Sequence, residues 1–286
     1  MNDTDTPRRP GPWDPKPEEV VSAPAAPAAP ERPARAAEPP LDKGQSPVWA
    51  VLSTLLLGGF IWWVTGSWVI AVALIWGLVV HEYGHVLAMN RLGMGPARIY
   101  IIPFLGGVAR SQRLPESEWH GVLVSLAGPW FGLLAAIPFL AGFIVTGQGA
   151  WLDGVFAIAM INLINLAPAP PLDGSKALGP VLARIHPMIE RAAMVLVGGL
   201  AVLWGLTNGA YIFAGFLAIA LIGHLQRGVW RPDGRPLTGG ESVRSVGLFV
   251  ATAAACAGVA LAALMPMTGS LEGAVALGSS YFGFGR

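Results

Sequence analysis

The stretch Ser67-Trp68-Val69-Ile70-Ala71-Val72-Ala73-Leu74-Ile75-Trp76-Gly77-Leu78-Val79-Val80-His81-Glu82-Tyr83-Gly84-His85-Val86-Leu87-Ala88-Met89 decides how the chain is read. From Trp68 to Val80 it carries no charge, and with the residues that follow it is long enough for a membrane-spanning helix, which needs about 20 residues. His81, Glu82 and His85 then fall within five consecutive positions at the end of the span. Each ionisable side chain inside a membrane helix costs about 2.5–3.5 kcal/mol on insertion scales, so a cluster of three calls for a chemical reason. Residues four apart share a helix face, so His81 and His85 offer two imidazoles to one metal ion. Neutral imidazole is a good zinc ligand, and Glu82 is placed to act as general base on water activated by the metal. A lone HExxH recurs by chance in helical proteins; its position in a span is what sets this one apart. The bland reading is a pair of histidines satisfied by interhelical hydrogen bonds.

Composition supports the span. Of 286 residues 53% are hydrophobic and 12% charged, whereas soluble domains carry about 25% charged residues. The mean hydropathy is +0.56. A net charge of +1 gives no case for nucleic-acid binding, and the single cysteine, Cys256, lies in an apolar run as a packing residue. Residues 1–46 contain 11 prolines, several alanines and scattered charges without apolar periodicity, and are expected to form a disordered cytoplasmic tail. No apolar segment near Met1 resembles a cleaved signal peptide.

Further apolar runs occupy 48–66, 121–146, 151–167, 188–206, 210–225 and 246–265, the fourth and fifth of these joined through Thr207-Asn208-Gly209. The fold expected is an all-α polytopic membrane protein of about seven transmembrane helices, six being the alternative. Its membrane domain covers 47–265, followed by a Gly-rich tail over 266–286. Every Lys and Arg except Arg286 falls in the tail before Val48 or in the segments 91–118, 172–192 and 224–245, which a seven-span chain places on one side. By the positive-inside rule the N-terminus is then cytoplasmic and the C-terminus outside. Trp49, Trp62, Trp63, Trp68 and Trp151 lie near span ends, as interfacial anchors do. His120, His186 and His224 flank spans and carry no metal-binding pattern.

Catalytic zinc normally takes three protein ligands and keeps one open position. The third is sought in Asn165-Leu166-Ala167-Pro168-Ala169-Pro170-Pro171-Leu172-Asp173-Gly174, which closes the run 151–167. Its prolines break the helix and hold the backbone extended. Asp173 follows at about the depth of His81 and His85 and offers a carboxylate oxygen; by itself an Asp-Gly pair after prolines would be a turn.

HExxH joined to N-x-x-P-x-P-x-L-D-G in a multispan chain resembles the site-2 protease family of intramembrane zinc metalloproteases, peptidase family M50. His81, Glu82 and His85 match the first motif, and Asn165, Pro168, Pro170, Leu172, Asp173 and Gly174 the second. The resemblance covers about residues 48–185. It implies a three-span catalytic core there, one zinc ion per chain held by His81, His85 and Asp173, Glu82 as base, and Asn165 as a substrate-binding amide. The bland alternative for Asn165 is a helix-packing hydrogen bond. The chain departs from the family pattern at Ser175, often glycine, and at Gly132, which ends Ala127-Gly128-Pro129-Trp130-Phe131-Gly132 where asparagine is frequent. It is expected to be a minimal member, without the PDZ or CBS domains of some relatives.

The segment Arg98–Arg110 is too short to span, β-branched at first and broken by Gly106-Gly107. It is expected to form a short re-entrant β-like hairpin beside the active site, whose edge holds unwound substrate as an added strand; the alternative is a loop packed for shape. Taken together these readings anticipate an integral protein of a bacterial inner (cell) membrane, its active site toward the cytoplasm. It would hydrolyse peptide bonds of single-span membrane proteins such as anti-sigma factors or remnant signal peptides. The rival readings are a membrane zinc transporter and an inactive protease-like scaffold.

Overall fold

A computed structural model describes residues 44–103, 106–227 and 234–281. The expected tail over 1–46 therefore lies almost wholly outside the described residues, as do Phe104 and Leu105 in the hairpin, Arg231, and Phe282 and Phe284 near the C-terminus. In chain order the elements are α1 (Pro47–Thr65), α2 (Trp68–Arg91), β1 (Arg98–Ile102), β2 (Gly106–Arg110), α3 (Glu118–Leu134), α4 (Ile137–Thr146), α5 (Ala150–Asn165), α6 (Asp173–Ile185), α7 (Pro187–Thr207), α8 (Tyr211–Arg227), α9 (Gly239–Thr268) and α10 (Leu271–Tyr281).

Local chemistry sets the boundaries. Ser46 caps α1, with Pro47 at its first position, and the left-handed Gly66 ends it. Ser67 caps α2 one residue later. Pro138 has no N–H to offer the Leu134 carbonyl, so the expected span 121–146 divides into α3 and α4. The junction is a tight turn in which Ala135 and Ala136 bond back three residues to Gly132 and Leu133. Thr238 and Glu241 form a reciprocal capping box, which starts α9 earlier than the apolar run alone indicated.

Among the described residues, five helical stretches are long and apolar enough to cross a membrane: α1, α2, α3 with α4, α7 and α9. The apolar helices α5 and α8 are shorter, 16 and 17 residues long, at the lower limit of about 17 residues for a membrane-spanning helix. Helix α1 buries only Ser53 and Leu57 and exposes Val48, Trp63 and Val64, a surface suited to lipid rather than water. The hairpin expected at Thr207-Asn208-Gly209 is present between α7 and α8, with Gly209 at φ 78°. One correction concerns 266–286, which was read as a tail. Gly269 ends α9, Ser270 accepts from Gly273 N–H, and α10 follows, burying Ala274 and setting Tyr281 5.2 Å from Phe156. The apolar residues Leu271, Ala274 and Val275 recur at helical spacing, which outweighs the glycines. Trp151, at the start of α5, is partly buried against the core and makes an edge contact with Trp68, 5.9 Å between centroids.

The bundle is organised around α2, which packs along α3, with α5 against both and α9 covering α5. Toward one end of α2 the interior is apolar: Val69, Ala73, Phe139, Val155 and Ile158 form a closed cluster. Toward the other end lie the buried polar groups. Helix α6 is held there by α9 and the segment before it. Ser245 Oγ donates to the Ala177 carbonyl (2.8 Å) and Arg184 Nη1 to the Leu237 carbonyl (2.6 Å). Leu237 N–H in turn donates to the Glu118 carboxylate (2.9 Å).

The hairpin expected over 98–110 is an antiparallel pair with Ile99 opposite Ala109 and Ile101 opposite Gly107. Gln45 closes the outer edge of β1. Its Nε2 donates to the Ile101 carbonyl and its Oε1 accepts from Ile101 N–H, both at 2.9 Å, as a neighbouring strand would.

Candidate metal centre

Helix α2 carries His81, Glu82 and His85, all buried. The helical period sets the two imidazoles one turn apart, and each ring is fixed from behind through Nδ1. That of His81 lies 2.8 Å from Asn162 Oδ1, and that of His85 2.7 Å from the Val124 carbonyl oxygen. Both partners are acceptors, so both Nδ1 atoms carry the proton and both Nε2 atoms present lone pairs to the site.

Asp173 arrives from α5 through a short extended path. Helix α5 ends at Asn165, ahead of the prolines, and Leu172 N–H closes a turn on the Ala169 carbonyl. Asp173 is then the first residue of α6, where the free amides of a helix N-terminus favour a carboxylate. Gly174 packs on the Leu166 and Ala167 carbonyls so closely that a Cβ would have no room. The departure at Ser175 has a local use: its Oγ donates to the Leu172 carbonyl (2.7 Å), closing the helix start.

Asp173 Oδ2 lies 3.1 Å from His81 Nε2 and 3.2 Å from His85 Nε2, and the two Nε2 atoms are 3.1 Å apart. Three electron-pair donors meeting this closely require positive charge among them. Zinc bonds of about 2.0–2.1 Å in tetrahedral geometry separate neighbouring ligand atoms by about 3.3 Å, so the triangle has the size of one tetrahedral face. Two imidazoles and one carboxylate are also a donor set that zinc accepts in catalytic sites. Among the described residues this is the one cluster able to hold a metal ion in this way.

Two glycines make room for the centre. A Cβ on Gly128 of α3 would lie 2.8 Å from His81 Nε2 and nearer still to the His85 ring. A Cβ on Gly107 of β2 would lie 2.6 Å from Glu82 Cγ. The Glu82 side chain thus rests against β2, where it also takes a hydrogen bond from the Ala109 backbone.

The profile of peptidase family M50 matches residues 69–158, which include the HExxH but stop short of Asp173. Two curated relatives agree with it. A zinc metalloprotease of Methanocaldococcus jannaschii is 27% identical over 142 residues, 47% of this chain and 39% of that protein. Rip3 of Mycobacterium tuberculosis, named as a candidate zinc metalloprotease, is 31% identical over 201 residues, 59% of this chain and 50% of Rip3. The match is to the peptidase family of the site-2 proteases. Together with the apolar helical stretches, the match points to an integral membrane protein. It spans half or less of the length of the curated relatives it matches. No solved structure matches it.

The structure brings together His81, His85 and Asp173, with Glu82 adjoining. Asn165 is half-buried, and its side chain makes no hydrogen bond to a described residue. The asparagine that touches His81 is Asn162, one turn earlier, which sequence reasoning passed over. The signal for it was a polar side chain inside the apolar run 151–167. The Val124 carbonyl and the clearance at Gly128 left no signal in the sequence beyond residue size. His186 caps α7 by accepting from Met188 N–H (3.1 Å), and His224 faces Arg191.

Proposed function

We propose that this protein is a zinc-dependent intramembrane endopeptidase that hydrolyses peptide bonds of single-span membrane proteins. The observation that carries the reading is the triangle of lone pairs on His81, His85 and Asp173, with the Glu82 carboxylate beside it. When bound there, zinc supplies Lewis acidity, lowering the pKa of coordinated water toward about 7 and polarising a carbonyl. Glu82 takes the proton from the attacking water and delivers it to the amine nitrogen as the C–N bond breaks. Asn165, whose amide has no partner among the described residues, donates to the substrate carbonyl oxygen. Burial of all four site residues limits solvent access and strengthens these interactions.

A peptide bond inside a helix is shielded by its own hydrogen bonds, so the substrate must unwind. Gln45 occupies the outer edge of β1 at Ile101, so an extended substrate strand would pair with the outer edge of β2, where Glu82 already holds the Ala109 N–H. Gly107→Val is therefore expected to displace Glu82 and to lower turnover roughly 100-fold, the cost of a misplacement of about 1 Å, with zinc content unchanged. Zinc analysis and cleavage rates on one preparation check this.

In the proposed topology α5 and α8 join the five longer stretches to give seven spans, with the N-terminus in the cytoplasm of a bacterial cell, the C-terminus outside, and the site toward the cytoplasm. By family resemblance, anti-sigma factors and remnant signal peptides are the substrate classes to test. A transporter would continue its polar path across the membrane; the apolar cluster around Ala73, Phe139 and Ile158 runs against that. The test is a panel of tagged single-span proteins incubated with the purified, zinc-loaded protein in lipid. Cuts mapped inside the spans support the proposal, and zinc accumulation in vesicles without any cut points to transport.

A further inference from the structure

Asn162 is fully buried in α5, within the bundle between α2 and α3. Its Nδ2 donates to the Ile158 carbonyl at 2.7 Å. That carbonyl can only accept, so the orientation of the amide is settled: Oδ1 faces away from Ile158 and toward His81 Nδ1, 2.8 Å away. An amide oxygen also only accepts, so His81 must carry its proton on Nδ1 and leave Nε2 bare. The chain of hydrogen bonds thus runs from the α5 backbone to the tautomer of a metal ligand. His85 receives the same service from a main-chain carbonyl, that of Val124, which no substitution removes. His81 is the histidine of the pair whose orientation depends on a side chain.

That side chain needs space that α3 supplies. A Cβ on Gly132 would stand 2.7 Å from both Cγ and Nδ2 of Asn162, and closer still to Oδ1. Position 132 and the Asn162 amide therefore compete for one volume directly behind His81.

We infer that Asn162 is a positioning residue for the metal centre, reaching through the gap left by Gly132 to fix the His81 tautomer, so that residues 132 and 162 act as one coupled pair. The inference uses the proposed metal site but does not require that the protein cleave anything. Partners of this kind typically contribute 10–100-fold in metal affinity.

The experiment measures zinc affinity of the purified full-length protein by chelator competition, and the absorption spectrum after cobalt substitution, with no substrate present. Asn162→Leu keeps the volume and removes the acceptor; it is expected to bind zinc about 10–100-fold more weakly and to alter the cobalt bands. Gly132→Asn alone crowds Asn162 and is also expected to weaken zinc. The double variant Gly132→Asn with Asn162→Ala returns an amide to the same volume from the other helix, and is expected to bind more tightly than Gly132→Asn alone, a non-additivity that marks direct coupling. Wild-type affinity and spectrum in Asn162→Leu would overturn the positioning role. A double variant no tighter than Gly132→Asn would overturn the coupling, and this arm stands even where Asn162→Leu does not fold. Normal zinc effects with no peptide cleavage by the wild type would sink the protease reading and leave the role of Asn162 in place.

Discussion

Glu82→Gln is expected to abolish measurable cleavage while leaving one zinc ion per chain. Glutamine has the shape of glutamate and can fill the same buried place against Gly107, so the fold and the three ligands have no reason to move. What it lacks is the ability to accept a proton at the attacking water and pass it to the leaving nitrogen. Loss of a positioned general base costs about 10²–10⁴ in rate, and the buried site offers no second carboxylate free of ligand duty among the described members of the cluster. Zinc analysis and cleavage of a single-span reporter on the same preparation separate the two effects. Cleavage at the wild-type rate by Glu82→Gln would place the base elsewhere.

Gly128→Ala has the second large effect. The added methyl group would stand 2.8 Å from His81 Nε2 and closer to the His85 ring, in the space toward which both lone pairs point. Van der Waals contact between carbon and nitrogen needs about 3.5 Å, so either the rings swing away or α2 and α3 separate. In each case zinc is lost and cleavage with it, although all three ligands and Glu82 remain. Gly121→Ala in the same helix is the control, because nothing lies within 4 Å of its added Cβ. Zinc content of the two variants after gel filtration in detergent decides the matter. Full zinc occupancy in Gly128→Ala would mean that the metal does not lie where the three side chains converge.

These expectations draw on different depths of information. His81, Glu82 and His85 were legible because the helical period places residues i and i+4 on one face, and because charge in a span is costly enough to be a signal. Asp173 was legible because prolines end α5 and return the chain at the depth of the histidines. The hairpin at 98–110 could be read from β-branched residues and a double glycine. The partners behind the ligands could not. Which residue stands behind His81 depends on how α5 crosses α2, and the apolar pattern of a helix buried on several sides does not report its rotation. The partner of His81 is Asn162, one turn before the Asn165 that was singled out as a substrate-binding amide. Helix α6 falls within 172–192, which was read from the sequence only for its basic residues; in the structure it buries Asp173, Gly174, Ser175, Ala177 and Gly179. The gap at Gly132 looked like a missing asparagine in the sequence and is, in the fold, the space that Asn162 fills.

The central claim is that peptide hydrolysis depends on one zinc ion held by His81, His85 and Asp173. Its most direct test is a titration: strip the purified protein with a chelator, add zinc in steps, and follow bound zinc and cleavage of one single-span reporter in the same lipid sample. The account predicts that cleavage rises in proportion to bound zinc, saturates at one ion per chain, and stays absent in Asp173→Ala. Cleavage that persists without zinc, or that survives in Asp173→Ala, would contradict it.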